Sequence, residues 1–124
     1  MIVPVKNEEA NLKACLRALS HFEHVVVVDS ESTDATKAIA RQFGATVIDF
    51  IWNGNFPKKR NWVLRNFEFQ TDWVLFVDAD EVIDEAFREE LSEKTKETTH
   101  VGFWLNYTNY FMGKKLKLGL PQRK

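Results

Sequence analysis

Three times this chain passes from a β-branched apolar run into a stretch with helical spacing, and that alternation restricts it to βαβ units built on a mostly parallel sheet. The runs are Ile2 to Val5, His24 to Val28 ending at Asp29, and Ala45 to Asp49. The second is apolar on both faces, as befits a central strand covered on both sides. Asn7 reads as the N-cap of a helix from Glu8 to Ser20, with Glu8 and Glu9 in its first turn and Leu12, Cys15, Leu16 and Leu19 on one face. After Asp29, the capping residues Ser30-Glu31-Ser32-Thr33 lead into a helix to Phe43, with Ala35, Ala38, Ile39 and Phe43 inward and Gly44 closing it.

Residues 50–56 read as a loop, and Pro57 at a first helical position predicts a helix from Lys58 to Phe67. A fourth apolar run, Trp73 to Val77, precedes a helix from Asp84 to Thr95 and a strand from His100 to Tyr107. The expected fold is therefore α/β: an open, mostly parallel sheet with helices on both faces, forming one domain over residues 1–124. A chain of this length buries roughly two-thirds of its extended surface, enough for a core.

Several classes are excluded or disfavoured. No apolar run approaches the ~20 residues of a membrane span, and the first residues lack a secretory leader's charged region and long apolar stretch, so a cytoplasmic location is expected. No G-x-G-x-x-G follows the first strand, which argues against a dinucleotide oxidoreductase. The first strand also lacks the paired acids of a phosphoacceptor domain. His21, His24 and His100 are scattered without metal-ligand spacing, and the single Cys15 reads as a buried thiol. No acid follows Glu97, while Lys114, Lys115, Lys117, Arg123 and Lys124 do. This basic C-terminal stretch is either a peripheral contact with anionic membrane or acceptor, or a solvated tail. No nucleic-acid partner is expected.

The chemistry concentrates in Val77-Asp78-Ala79-Asp80. Alternate strand residues share a face, so Asp78 and Asp80 are expected to point together where the fourth run leaves the sheet. Two carboxylates so placed suit Mg2+ or Mn2+, which take oxygen ligands and complete their shell with phosphate oxygens and water. The competing reading makes Asp80 a helix cap and Asp78 a solvated loop residue. Open α/β sheets bind ligands at the carboxyl ends of their strands, where both Asp29 and Asp78 fall.

Taken together, Pro4-Val5-Lys6-Asn7-Glu8-Glu9, Val27-Val28-Asp29-Ser30-Glu31-Ser32-Thr33-Asp34, Lys58-Lys59-Arg60-Asn61 and Val77-Asp78-Ala79-Asp80-Glu81 resemble the motifs of the family 2 glycosyltransferases, in their order and at similar spacing. The aromatic loop before Lys58 is most similar to the branch that adds hexose to the inner core of lipopolysaccharide. The resemblance covers about the first half of such an enzyme, the nucleotide-sugar-binding part of a GT-A fold.

It implies a UDP-sugar donor, a saccharide or lipid-linked acceptor, and direct displacement with inversion. By that analogy Pro4, Val5, Asn7 and Glu8 border the uracil, Asp29 with Ser30 receives the base, and Asp78 with Ala79 faces the ribose. Asp80, assisted by Asp78, ligates the Mn2+ or Mg2+ ion, and Lys59 or Arg60 faces the diphosphate near a helix start. Each has a structural competitor: Asp29 as a turn cap, the cations as a solvated helix face, Glu8 and Glu9 as first-turn acids. Trp52 either fills core or borders the sugar. The family's general base lies well downstream of the D-x-D, so here it is expected beyond Lys124, and a donor-binding module without turnover stays open as the alternative.

Overall fold

The computed structural model describes residues 1–116. Three four-residue strands, β1 (Ile2–Val5), β2 (Val26–Asp29) and β3 (Thr46–Asp49), form a parallel sheet with β2 in the middle. In register, Val5 stands beside Asp29 and Asp29 beside Asp49, so the three strands end level with one another. Between them run α1 (Leu12–Ala18) and α2 (Thr36–Gln42), followed by α3 (Lys59–Asn66) and α4 (Glu85–Lys96). A two-residue hairpin, β4 (Tyr110–Phe111) with β5 (Lys114–Lys115), lies near the end of the described chain.

Period-two alternation decides which helix covers which face. Val3, Val5, Val27 and Val47 pack with Leu12, Cys15, Leu16 and Leu19 of the α1 region and Ala40 of α2. Ile2, Val26, Val28 and Ile48 turn the other way, onto Val63 and Trp62 of α3, with Phe50 and Phe76. Helices thus cover both faces. Leu12, Val3 and Val27 are fully buried, and each such side chain stabilises the fold by about 1.5–3 kcal/mol.

Several sequence expectations are corrected. The run Trp73 to Val77 does not make a strand: it touches the free edge of β1 through one parallel bridge, Ile2 to Phe76. Its bonds there are Ile2 N–H to Leu75 O at 2.8 Å and Val77 N–H to Ile2 O at 2.9 Å. His100 to Tyr107 is not a strand either. The first helix begins at Leu12 with Asn11 as N-cap, not at Asn7, whose φ of 54° takes it out of any helix start. In α2 the buried positions are Thr36 and Ala40, while Ala35, Ala38 and Phe43 are exposed.

Pro57 precedes the N-cap Lys58 and is joined to Phe56 by a cis bond. Asp84, not Asp80, caps α4: its side chain accepts from Phe87 N–H at 2.8 Å. No helix among the described residues is long and apolar enough to cross a membrane. Lys114 and Lys115 sit exposed on β5, whereas the rest of the basic stretch, Lys117, Arg123 and Lys124, lies outside the described residues.

Candidate functional site at the carboxyl ends of the strands

Two crossover turns meet above the ends of β1 and β2, held by side chains that a local reading assigns to helix caps. Asn7 N–H donates to Ser32 Oγ at 2.8 Å, Glu8 N–H to Thr36 Oγ1 at 2.8 Å, and Glu9 N–H to Asp34 Oδ2 at 3.1 Å. In return Thr33 N–H donates to Asn7 Oδ1 at 2.8 Å and Ala35 N–H to Glu9 Oε2 at 2.9 Å. The Glu8 carboxylate accepts from Asn11 Nδ2 at 3.0 Å. Asn7 and Glu8 therefore build the wall between the turns, with their N–H groups, Asn7 Oδ1 and Glu8 Oε2 committed. Pro4, half-buried, lies beside Val28 in the register.

Asp29 is the buried charge of this end of the sheet, with no exposed surface. Its Oδ2 accepts from Ser32 N–H at 2.8 Å and lies 3.8 Å from Lys37 Nζ. Its Oδ1 has no partner among the described residues. A buried carboxylate oxygen without a donor costs about 1–3 kcal/mol or more, so native structures keep few of them. Half-buried Ser30 bonds through its main chain, donating N–H to Val5 O at 3.0 Å.

The turn-capping reading of Asp29 is thus true of one oxygen and silent on the other. Lys37 also donates to Asp49 Oδ1 at 2.9 Å. That hydrogen bond raises the Lys37 ammonium above its ordinary pKa. Lys37 and Asp49 were not singled out from sequence, although Asp49 ends its strand as Asp29 does.

The start of α3 brings the two predicted cations into the same space. Lys59 Nζ donates to Val5 O at 2.6 Å, so Val5 contributes its carbonyl here while its side chain faces the core. Burial lowers the Lys59 pKa, opposed by the attraction of Asp29 and Asp78. Arg60 pairs through Nη2 with Asp78 Oδ1 and stands over the Phe76 ring at 5.4 Å. Two cations in the first turn of a helix, whose N-terminus is already positive, are disfavoured by about 0.3–1 kcal/mol each. Lys59 is drawn inward onto Val5 O, whereas the Arg60 side chain pairs with Asp78 and stays about two-fifths exposed.

The D-x-D does not behave as two positions of one strand face. A turn closed by Glu81 N–H to Asp78 O at 2.9 Å takes the chain out of the extended path, and Glu81 Oε2 accepts Asp78 N–H at 2.8 Å. Asp78 faces Arg60 and Ala79 is buried, while Asp80 is exposed. Beneath the turn, Cys15 Sγ lies 3.8 Å from Asp78 O, and burial, then Glu81, Asp80 and Asp78, push its thiol up to about 11.

No group of three or more His, Cys, Asp or Glu side chains converges among the described residues. The donor set fits Mg2+ or Mn2+ only in the way such ions sit with phosphates: one or two carboxylates from protein, the remainder from ligand and water. A hollow of ≈ 1210 Å³ lies elsewhere, lined by His24, Trp73, Leu91 and Phe103 among others and containing none of these site residues.

Residues 1–120 match the family described as Glycosyl transferase family 2. An uncharacterized glycosyltransferase of Rickettsia felis is 38% identical over 87 residues, which are 69% of this chain and 30% of that protein. A lipopolysaccharide core biosynthesis glycosyltransferase, LpsC of Rhizobium meliloti, is 32% identical over 79% of this chain and 37% of its own length. Among solved structures, S. aureus TarS residues 1–349 superimposes with a TM-score of 0.62 and 31% identity, over 74% of this chain and 30% of that segment. The same TarS segment has been solved in complex with UDP-GlcNAc, with a TM-score of 0.58 to this chain. The chain thus spans about a third of the length of these relatives.

Proposed function

The chain belongs to glycosyl transferase family 2, and we propose that it is the donor-binding part of an inverting, metal-dependent enzyme that moves a hexose from a UDP-sugar. The acceptor is a lipid-linked or cell-envelope saccharide, reached from the cytoplasm, and the likeness to LpsC favours lipopolysaccharide core synthesis. The observation that carries this reading is the orphaned, fully buried Oδ1 of Asp29 beside the cationic start of α3. An ionised carboxylate only accepts, so it suits the imide N–H of uracil. The diphosphate then lies toward Lys59 and Arg60, where an anion relieves the clustered positive charge.

Pro4, Val5, Asn7, Glu8 and Ser30 wall the nucleoside slot largely through backbone and committed polar groups, and Asp78 with Ala79 borders the ribose. Asp80, assisted by Asp78, would hold a Mn2+ or Mg2+ ion, and the chemistry such an ion would supply is neutralisation of charge on the diphosphate. In the reaction the acceptor oxygen forms a bond to the anomeric carbon as the bond from that carbon to the diphosphate breaks. The hydroxyl proton passes to a general base. With no acid after Glu97, this chain supplies no candidate on the acceptor side.

Calorimetric titration of UDP with and without Mn2+ tests the reading. Binding is expected to need the metal and to vanish in Asp80→Ala while the melting temperature holds. Metal-independent binding that survives Asp80→Ala removes the proposed ion site.

A further inference from the structure

The loop from β3 to α3 carries large apolar side chains into solvent at the same end of the sheet as the proposed cleft. Ile51 is 72% exposed, Trp52 44% and Phe56 65%. The loop is nonetheless anchored: Phe50 is buried, with its ring 6.2 Å from Trp52 and 5.3 Å from Trp62. Polar chains do not ordinarily present three such residues together without a partner for them.

Charge supplies the partner's identity. From Phe50 through Phe67 there is no Asp or Glu, in a chain whose overall charge is -1, while Lys58, Lys59, Arg60 and Arg65 all fall there. Lys59 and Arg60 are engaged with Val5 and Asp78. Lys58 and Arg65 stay exposed, and the Arg65 guanidinium lies over the Phe56 ring at 5.1 Å. Apolar and aromatic tips flanked by cations match the two layers of an anionic bilayer surface: side chains at the acyl boundary, guanidinium and ammonium groups at the phosphates.

We propose that residues 51–56, with Lys58 and Arg65, form a docking surface for anionic lipid headgroups. This membrane contact lies on the loop before α3 and is separate from the basic C-terminal stretch. The surface itself does not depend on nucleotide binding; only its use, presenting the cleft to a lipid-linked acceptor, rests on the proposed function.

Sedimentation of the 124-residue chain with vesicles of phosphatidylcholine, alone or mixed with phosphatidylglycerol, tests it. Binding is expected only to the mixed vesicles and to weaken with salt. Lys58→Gln with Arg65→Gln is expected to weaken binding about 30-fold, with UDP titration unchanged. Ile51→Ser, Trp52→Ser and Phe56→Ser together remove the apolar part, leaving a weaker binding that is still salt-dependent. Lys114→Gln with Lys115→Gln is expected to change little.

The proposal is overturned by equal binding to both vesicle types, by parent-like binding of the Lys58 and Arg65 double variant, or by loss that follows Lys114 and Lys115 instead. Capture of a soluble anionic polysaccharide without vesicle binding also overturns it. Loss of UDP binding in the parent, with vesicle binding intact, sinks the proposed function and leaves this surface standing.

Discussion

Asp29→Asn isolates the one buried oxygen on which nucleotide recognition is proposed to rest. The side chain is fully buried, so the isosteric amide must occupy the same two oxygen positions. The Oδ2 position faces two donors, Ser32 N–H at 2.8 Å and Lys37 Nζ at 3.8 Å, so the amide oxygen belongs there. The NH2 group is then forced into the Oδ1 position, which has no partner in the parent. Folding keeps the Ser32 bond and loses the attractions to two partly exposed ammonium groups, Lys37 and Lys59, a cost of about 1 kcal/mol or less for each. Binding instead loses a charged acceptor and gains a donor aimed at the uracil imide N–H. Charged hydrogen bonds contribute about 1.5–3 kcal/mol, so UDP affinity should fall about ten- to a hundredfold. Calorimetry with Mn2+ present, paired with urea denaturation, reads both effects. Parent-like UDP affinity in a folded Asp29→Asn would refute the reasoning, and Asp49→Asn, which leaves Oδ1 untouched, should bind nearly as the parent does.

Arg60→Ala breaks an ion pair whose partners are about two-fifths exposed, so urea denaturation should show a loss of about 1 kcal/mol or less, whereas UDP titration should show affinity reduced roughly tenfold or more. Asp84→Ala removes the N-cap of α4, and the same denaturation assay should report about 0.5–2 kcal/mol lost with UDP affinity unaltered. Cys15 should resist thiol reagents in the native chain at pH 8 and react on unfolding. Its folded pKa of about 11 lies above the ordinary 9.0; the sign follows, since stability from the protonated thiol is complete below pH 9 and is lost as pH rises toward 11. Rapid native labelling at pH 8 contradicts the burial.

What was legible in the sequence was whatever local signals control. The β-branched runs gave β1, β2 and β3 within two residues, and the start signals at Pro57 and Asp84 gave α3 and α4. Trp73 to Val77 misled because a strand needs a partner as well as a pattern, and it meets β1 only at Ile2. Asn7, Glu8 and Glu9 misled differently. They look like a helix start, but their better partners lie more than two dozen residues away, in the turn after β2. Asp29 and the start of α3 lie at the same end of the sheet, since strand ends and a helix start share that end in any βαβ fold. For Asp78 and Asp80 the strand alternation argument stops where the Asp78–Glu81 turn begins.

The most direct measurement is a crystal structure of this chain grown with UDP and Mn2+. The account predicts the uracil imide nitrogen within about 2.7–3.2 Å of Asp29 Oδ1 and the diphosphate against the first turn of α3. A nucleotide seated in the hollow beside Trp73 and Phe103, with Asp29 Oδ1 still unpaired, would contradict it.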